Sequence, residues 1–151
     1  MSKSLKKSIP IEQIAIGMSA SIKKVIEFDD IKLFAKLSGD TNAIHLDKEY
    51  AANSKYKKNI AHGLMSSSYF SGIFGTQLPG EGSVYTYQSL KFKRPIYVGD
   101  EIEARVVVLN IDIDKKRVKF TTQCLVKSKI CIDGEAEISI PWISYNLQNK
   151  L

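Results

Sequence analysis

The chain is poor in the residues that build disulfide frameworks and metal centres: its 151 residues include two cysteines and two histidines. Cys124 and Cys131 are not spaced as CxxC, and no histidine lies near them in sequence to complete a zinc site. Buried thiols in a reducing compartment are the expectation, with no metal and no resident cofactor. No stretch approaches the ~20 apolar residues of a membrane span. Lys3, Lys6 and Lys7 sit among serines at the N-terminus, but Pro10, Glu12 and Gln13 interrupt the segment that follows, so no secretory apolar core forms. These absences point to a cytoplasmic protein with no membrane partner. Internal repeats, low-complexity tracts and Gly/Ser linkers are also missing, and the length suits one domain, 1–151, able to bury roughly 70% of its unfolded surface. Charge is lopsided: 22 Lys and Arg against 16 Asp and Glu give +6 and a pI near 9.2. That balance favours an anionic partner, whether nucleic acid, acidic membrane or phosphorylated small molecule, or is simply a basic surface.

One absence is local. From Asn59 to Gly80 no residue is charged, apart from any proton on His62. Within it, Gly63 to Leu78 fits a helix that is apolar or small all round, with Leu64, Met65, Tyr69, Phe70, Ile73, Phe74 and Leu78 among serines and glycines. An uncharged helix in a water-soluble fold belongs inside it. Its serines can bond back to the preceding turn, and its glycines permit close approach. Upstream, Glu27 to Leu37 reads as a short helix with Asp29 and Asp30 at its start, an apolar stripe of Ile31, Phe34, Ala35 and Leu37, and Gly39 as its stop. Asp47 to Asn53 reads as another short helix or turn.

After the turn signal Pro79-Gly80-Glu81-Gly82 the pattern changes to alternation. Val84, Thr86, Gln88, Leu90 and Phe92 fall on one face, opposite Tyr85, Tyr87, Ser89, Lys91 and Lys93. Ile102, Ala104, Val106 and Val108 oppose Glu101, Glu103 and Arg105; Val118, Phe120, Thr122, Cys124 and Val126 oppose Arg117, Lys119, Thr121 and Gln123; Ala136, Ile138 and Ile140 oppose Glu135, Glu137 and Ser139. Four antiparallel strands with one polar face need something apolar against the other. The charge-free helix is the candidate long enough. The expected fold is therefore α+β, a long central helix wrapped by a curved antiparallel sheet in the hot-dog manner, with Ala20 to Ile26 supplying a further strand.

Asp40 and His45 stand five residues apart across a turn opened by Gly39. A continuous helix would put them on different faces, whereas a loop can fold both toward one point. A carboxylate and an imidazole converging on one water form an acid–base pair, one taking the water's proton and the other supplying a proton to the adjacent carbon. Read singly, Gly39 is a helix stop, Asp40 or Asn42 a cap, and His45 a packed loop histidine. Gly63 opens the charge-free helix, where first-turn amides lack internal partners and can stabilise a developing oxyanion. Its plainer role is to permit tight helix–sheet packing.

The stretch Leu37-Ser-Gly-Asp-Thr-Asn-Ala-Ile-His45, followed by Ala51-Ala52, closely resembles the signature of the R-specific enoyl-CoA hydratases of the MaoC-like group. The resemblance continues through Ile60-Ala-His-Gly-Leu64, Phe70-Ser-Gly-Ile73, Gln77-Leu-Pro-Gly80, Gln88-Ser-Leu90 and Val98-Gly-Asp100, in order over most of the chain. It implies a hot-dog homodimer that reversibly hydrates trans-2-enoyl-CoA to R-3-hydroxyacyl-CoA, with coenzyme A entering as part of the substrate. By matching positions, Asp40 and His45 would be the catalytic pair, the Gly63 amide the oxyanion donor, Asn42 a support of the loop and Ser71 a helix residue facing the site. Two positions depart from the pattern. Ala43 stands where the family usually has proline, leaving the loop less pre-set. Phe74, one turn beyond Ser71, is bulky and is expected to shorten the accepted acyl chain. The basic residues Lys55, Lys57, Lys58, Lys91, Lys93 and Arg94 could meet phosphates or form a solvated face, and no nucleic-acid motif is present. The alternatives are an acyl-CoA thioesterase or related acyl-thioester dehydratase on the same fold, or a non-catalytic acyl-CoA-binding domain.

Overall fold

The computed structural model describes residues 8–141; the basic N-terminal segment with Lys3, Lys6 and Lys7, and both ends of the expected 1–151 domain, lie outside the described residues. A 3-10 turn, Ile11–Gln13, precedes β1 (Ser19–Val25), α1 (Phe28–Ser38), α2 (Ala43–Leu46), α3 (Lys48–Asn53), α4 (Gly63–Thr76), β2 (Val84–Gln88), β3 (Lys91–Phe92), β4 (Glu101–Asp112), β5 (Arg117–Val126) and β6 (Lys129–Ser139). The strands form one antiparallel sheet in the order β1-β4-β5-β6-β2, with the short β3 also paired to β6.

Burial alternates along β4, β5 and β6 as their sequences do. Ile102, Ala104, Val106, Val108, Val118, Phe120, Thr122, Cys124, Ala136 and Ile138 are buried. Against them α4 lays Met65, Phe70, Ile73 and Phe74, making one core with the sheet. This is the hot-dog arrangement, a helix cradled by a sheet. The helix satisfies its small polar groups internally: Ser67 Oγ donates to Gly63 O at 2.8 Å, Ser68 Oγ to Met65 O, and Thr76 Oγ1 to Gly72 O at 2.7 Å.

Three expectations are corrected. First, α4 ends at Thr76, not Leu78, and it is not enclosed on every side. Leu64, Ser68, Ser71, Gly72, Gly75 and Thr76 form an exposed, uncharged face, because a single sheet covers one side of a helix. Second, the run from Val84 to Phe92 is two strands. The chain turns over Gly134, where an added Cβ would lie within 1.9 Å of the Ser89 carbonyl oxygen, and a register shift between Tyr85 and Tyr87 interrupts the alternation. Tyr85, opposite Ile138, meets the Phe74 ring edge-on at 5.2 Å while staying 37% exposed, and Val84 is the more open of the two. Third, Leu37 is exposed, since six residues after Ile31 the helix has turned roughly 240° away from the core.

Candidate active site

The site is assembled where α1 stops. Gly39 takes a left-handed conformation (φ +80°) and closes the helix with its N–H on Ala35 O at 2.9 Å. From there a relay of side-chain-to-backbone bonds shapes the loop. Ser38 Oγ accepts from Asp40 N at 3.1 Å, Asp40 Oδ1 from Asn42 N at 3.2 Å, and Asn42 Oδ1 from Ile44 N at 3.2 Å. Asn42 thereby caps α2, which carries His45. Ala43 occupies the first position of that helix, where proline is tolerated but not required. The Asn42 cap sets the turn without it.

His45 is fixed by what its Nδ1 meets. Ile60 O lies 2.8 Å away; a carbonyl only accepts, so Nδ1 carries a hydrogen and Nε2 is the working nitrogen. Nε2 stands 3.9 Å from Asp40 Oδ2. That gap is too long for a direct hydrogen bond, and it suits one water. Two bonds of about 2.8 Å to atoms so spaced would subtend roughly 90° at its oxygen. The Asp40 side chain is half exposed and that of His45 nearly buried, so the pair faces solvent from one side.

Sequence reasoning noted His62 but assigned it no role, and it proves central to the geometry. Its side chain is 2% exposed. Its Nε2 donates to the Asp40 main-chain carbonyl at 2.9 Å, and its ring stacks on His45 at 3.8 Å with 29° between planes. Phe34 lies 4.8 Å from it. The second nitrogen, Nδ1, is buried with no partner among the described residues. Asn59, also buried, donates its side-chain amide to Ile44 O at 3.0 Å and Asp47 O at 3.1 Å, tying the backbone around α2 to the segment that leads into α4. A pattern could have flagged His62, since the chain's two histidines both fall inside the quoted motifs. Nothing in the sequence marks Asn59.

Asp40, His45 and His62 offer ligand-type atoms within 4.8 Å of one another. His62 Nε2 carries the hydrogen it donates to the Asp40 carbonyl, so it has no lone pair for a metal, and its ring stacks on that of His45. A tetrahedral ion with nitrogen bonds of about 2.0–2.1 Å fits this poorly. Proton transfer fits it well.

Gly63 follows His62 directly and opens α4. No side chain caps this helix, and the Gly63 N–H has no acceptor among the described residues. An unpartnered, positively polarised amide thus follows directly on the residue whose ring stacks on His45. Of the remaining candidates, Asn42 is part of the same cluster. Ser71 lies eight residues along α4, about 12 Å from its start, on the exposed face. Phe74 is enclosed between Tyr85 and Phe120, with ring centroids at 5.2 and 4.8 Å. Within a single chain neither is brought to the Asp40–His45 pair.

A hot-dog domain with a carboxylate, an imidazole and a free helix-end amide at one point belongs, as a class, with small acid–base enzymes of acyl thioesters. The relatives make the assignment specific. A model of the MaoC-like domain matches residues 10–130, and the chain belongs to this MaoC-like family. It is 46% identical over 130 residues to an (R)-specific enoyl-CoA hydratase of Rhodospirillum rubrum, covering 86% of this chain and 90% of that protein. A 3-hydroxybutyryl-CoA dehydratase of Methylorubrum extorquens is 36% identical over 130 residues, covering 86% and 83%. Among solved structures, an (R)-hydratase from Aeromonas caviae superposes with a TM-score of 0.84 at 38% identity, covering 86% of this chain and 99% of that one.

Proposed function

We propose that the protein catalyses the reversible, R-specific hydration of trans-2-enoyl-CoA to 3-hydroxyacyl-CoA. The observation that carries this reading is the 3.9 Å gap between His45 Nε2 and Asp40 Oδ2, beside the unpartnered Gly63 amide. A water held in that gap attacks C3 of the enoyl thioester and gives its proton to the pair. One member of the pair takes the water's proton while the other delivers a proton to C2, and proton exchange restores the starting state. Negative charge that develops on the thioester oxygen is met by the Gly63 N–H, a contribution worth on the order of 10²–10³ in rate for such a donor. Coenzyme A enters as part of the substrate, and no resident cofactor takes part. The R preference is supported by the likeness to the Rhodospirillum rubrum hydratase.

The working unit in this reading is a homodimer. Strand β2 is an edge of the sheet, with Val84 and Tyr87 exposed, and the uncharged outer face of α4 is uncovered. An open apolar edge beside an uncharged helix face calls for a partner surface. We place the enzyme in the cytoplasm, consistent with two unpaired cysteines; no helix among the described residues is long and apolar enough to cross a membrane. The test is an assay with crotonyl-CoA. Loss of the enoyl absorbance with formation of R-3-hydroxybutyryl-CoA and no free thiol is expected. Thiol release without hydration would overturn the reading in favour of a thioesterase, and binding without turnover would favour a non-catalytic domain.

A further inference from the structure

Gly63 lacks a side chain, and the space is taken by another residue. A Cβ built there would lie 2.5 Å from Phe92 Cε1 and 2.6 Å from Cδ1, so the edge of that ring rests against the glycine's α-carbon. Phe92 belongs to β3, which is firmly held. Lys91 and Phe92 pair with Asp133 and Ile132, Lys93 N–H donates to Cys131 O at 2.7 Å, Lys93 Nζ meets Asp133 at 3.3 Å, and the Arg94 guanidinium donates to Ile130 O at 2.6 Å. The ring is therefore carried by a pinned strand. Even so, Phe92 remains 55% exposed. Packing accounts for the edge that touches Gly63, but not for a large apolar surface left open beside the free amides of a helix end.

We infer that Phe92 is a substrate-contacting residue that forms the apolar wall of the pocket for the thioester carbonyl. It keeps water off the Gly63 N–H and confines the carbonyl oxygen against it. An amide donor shielded from water acts in a lower dielectric and gains strength as the acceptor becomes more negative. That gain is largest in the transition state, so the effect belongs to kcat more than to KM. The wall contacts the thioester end common to all acyl chains, so Phe92 governs rate and not chain length. This inference rests on the hydratase reading, and the test separates the two.

The variants are Phe92→Ala and Phe92→Leu, assayed with crotonyl-CoA as full-length protein. Phe92→Ala is expected to lower kcat on the order of tenfold or more with KM within about threefold, while Phe92→Leu, which restores an apolar wall, recovers most of the rate. A second readout uses Asp40→Asn, whose turnover is expected to be slow enough for bound enoyl-CoA to be observed. Carbonyl polarisation by the Gly63 amide should shift the bound enoyl-thioester absorption to the red, and adding Phe92→Ala should abolish the shift. An unchanged kcat in Phe92→Ala, or a red shift that survives it, overturns this inference alone. An inactive wild-type protein overturns the hydratase reading and the inference with it.

Discussion

His62→Phe separates holding the acid–base pair from holding the fold. The substitution keeps an aromatic face for His45, whose ring lies 3.8 Å away, and removes two polar atoms with opposite effects. The bond from Nε2 to the Asp40 carbonyl at 2.9 Å is worth about 1 kcal/mol. The orphaned Nδ1 is a buried polar group whose unmet hydrogen bond costs about 1–3 kcal/mol. The Asp40 carbonyl, freed at an exposed residue, can turn to water. The variant should therefore be as stable as the wild type, or up to about 2 kcal/mol more stable. Activity should move the other way. Without the bond, the Asp40 backbone is free to drift, and a 1 Å misplacement of a catalytic group costs on the order of 10²-fold. Crotonyl-CoA hydration is expected to fall about 10- to 100-fold in kcat, alongside an unfolding midpoint that is unchanged or raised. A rate within twofold of wild type, or a slow enzyme that also melts early, would refute the reasoning.

Asp40→Asn and His45→Gln should each lower kcat by about 10²–10⁴ in a protein whose circular dichroism matches the wild type; appreciable activity in either removes the assignment. Phe74→Ala should cost about 3–5 kcal/mol in chemical denaturation and shift the kcat/KM preference toward longer enoyl-CoAs; an unchanged preference would show that Phe74 does not limit chain length. Burial pushes the Cys124 thiol up to about 12 and the Tyr85 hydroxyl upward. For the buried Cys124 a folded value above the unfolded one means that stability is fully present below about pH 9 and declines above it, by up to roughly 1.4 kcal/mol per pH unit; the partly exposed Tyr85 adds to the decline at higher pH in the same direction. Unfolding followed from pH 7 to 11 should trace that decline, and a flat profile would contradict it.

How much of this was legible depended on whether a residue's partner leaves a trace in the chain. Strands β4 to β6 were readable because each has one wet and one dry face, so Ile102 or Phe120 announces its side by alternation alone. Strand β2 departs from its alternation because a register shift between Tyr85 and Tyr87 puts Tyr85 and Gln88 on the same side of the sheet, opposite Ile138 and Ala136, and a shift has no compositional mark. The exposed side of α4 was missed for another reason: the absence of charge signals contact, not whether the contact lies within the chain or with a second one. Asp40, His45 and Gly63 are named by the loop and helix start they occupy, and the fold sets the first two 3.9 Å apart. His62 was noticed without its purpose, because its decisive partner is a main-chain carbonyl, and any residue at position 40 would present one. The Phe92–Gly63 contact joins residues far apart in sequence by shape alone.

The bond from Asn42 N–H to Asp40 Oδ1 gives one carboxylate two separate occupations. Its first oxygen forms the bend that leads the backbone into α2, and so indirectly aims His45; only the second is left for chemistry. A glutamate in its place would have charge and reach, but one extra methylene would force it to choose between making the corner and meeting the water. The loop thus measures acid length as well as acidity, and a change that conserves charge here would still uncouple the architecture from the reaction.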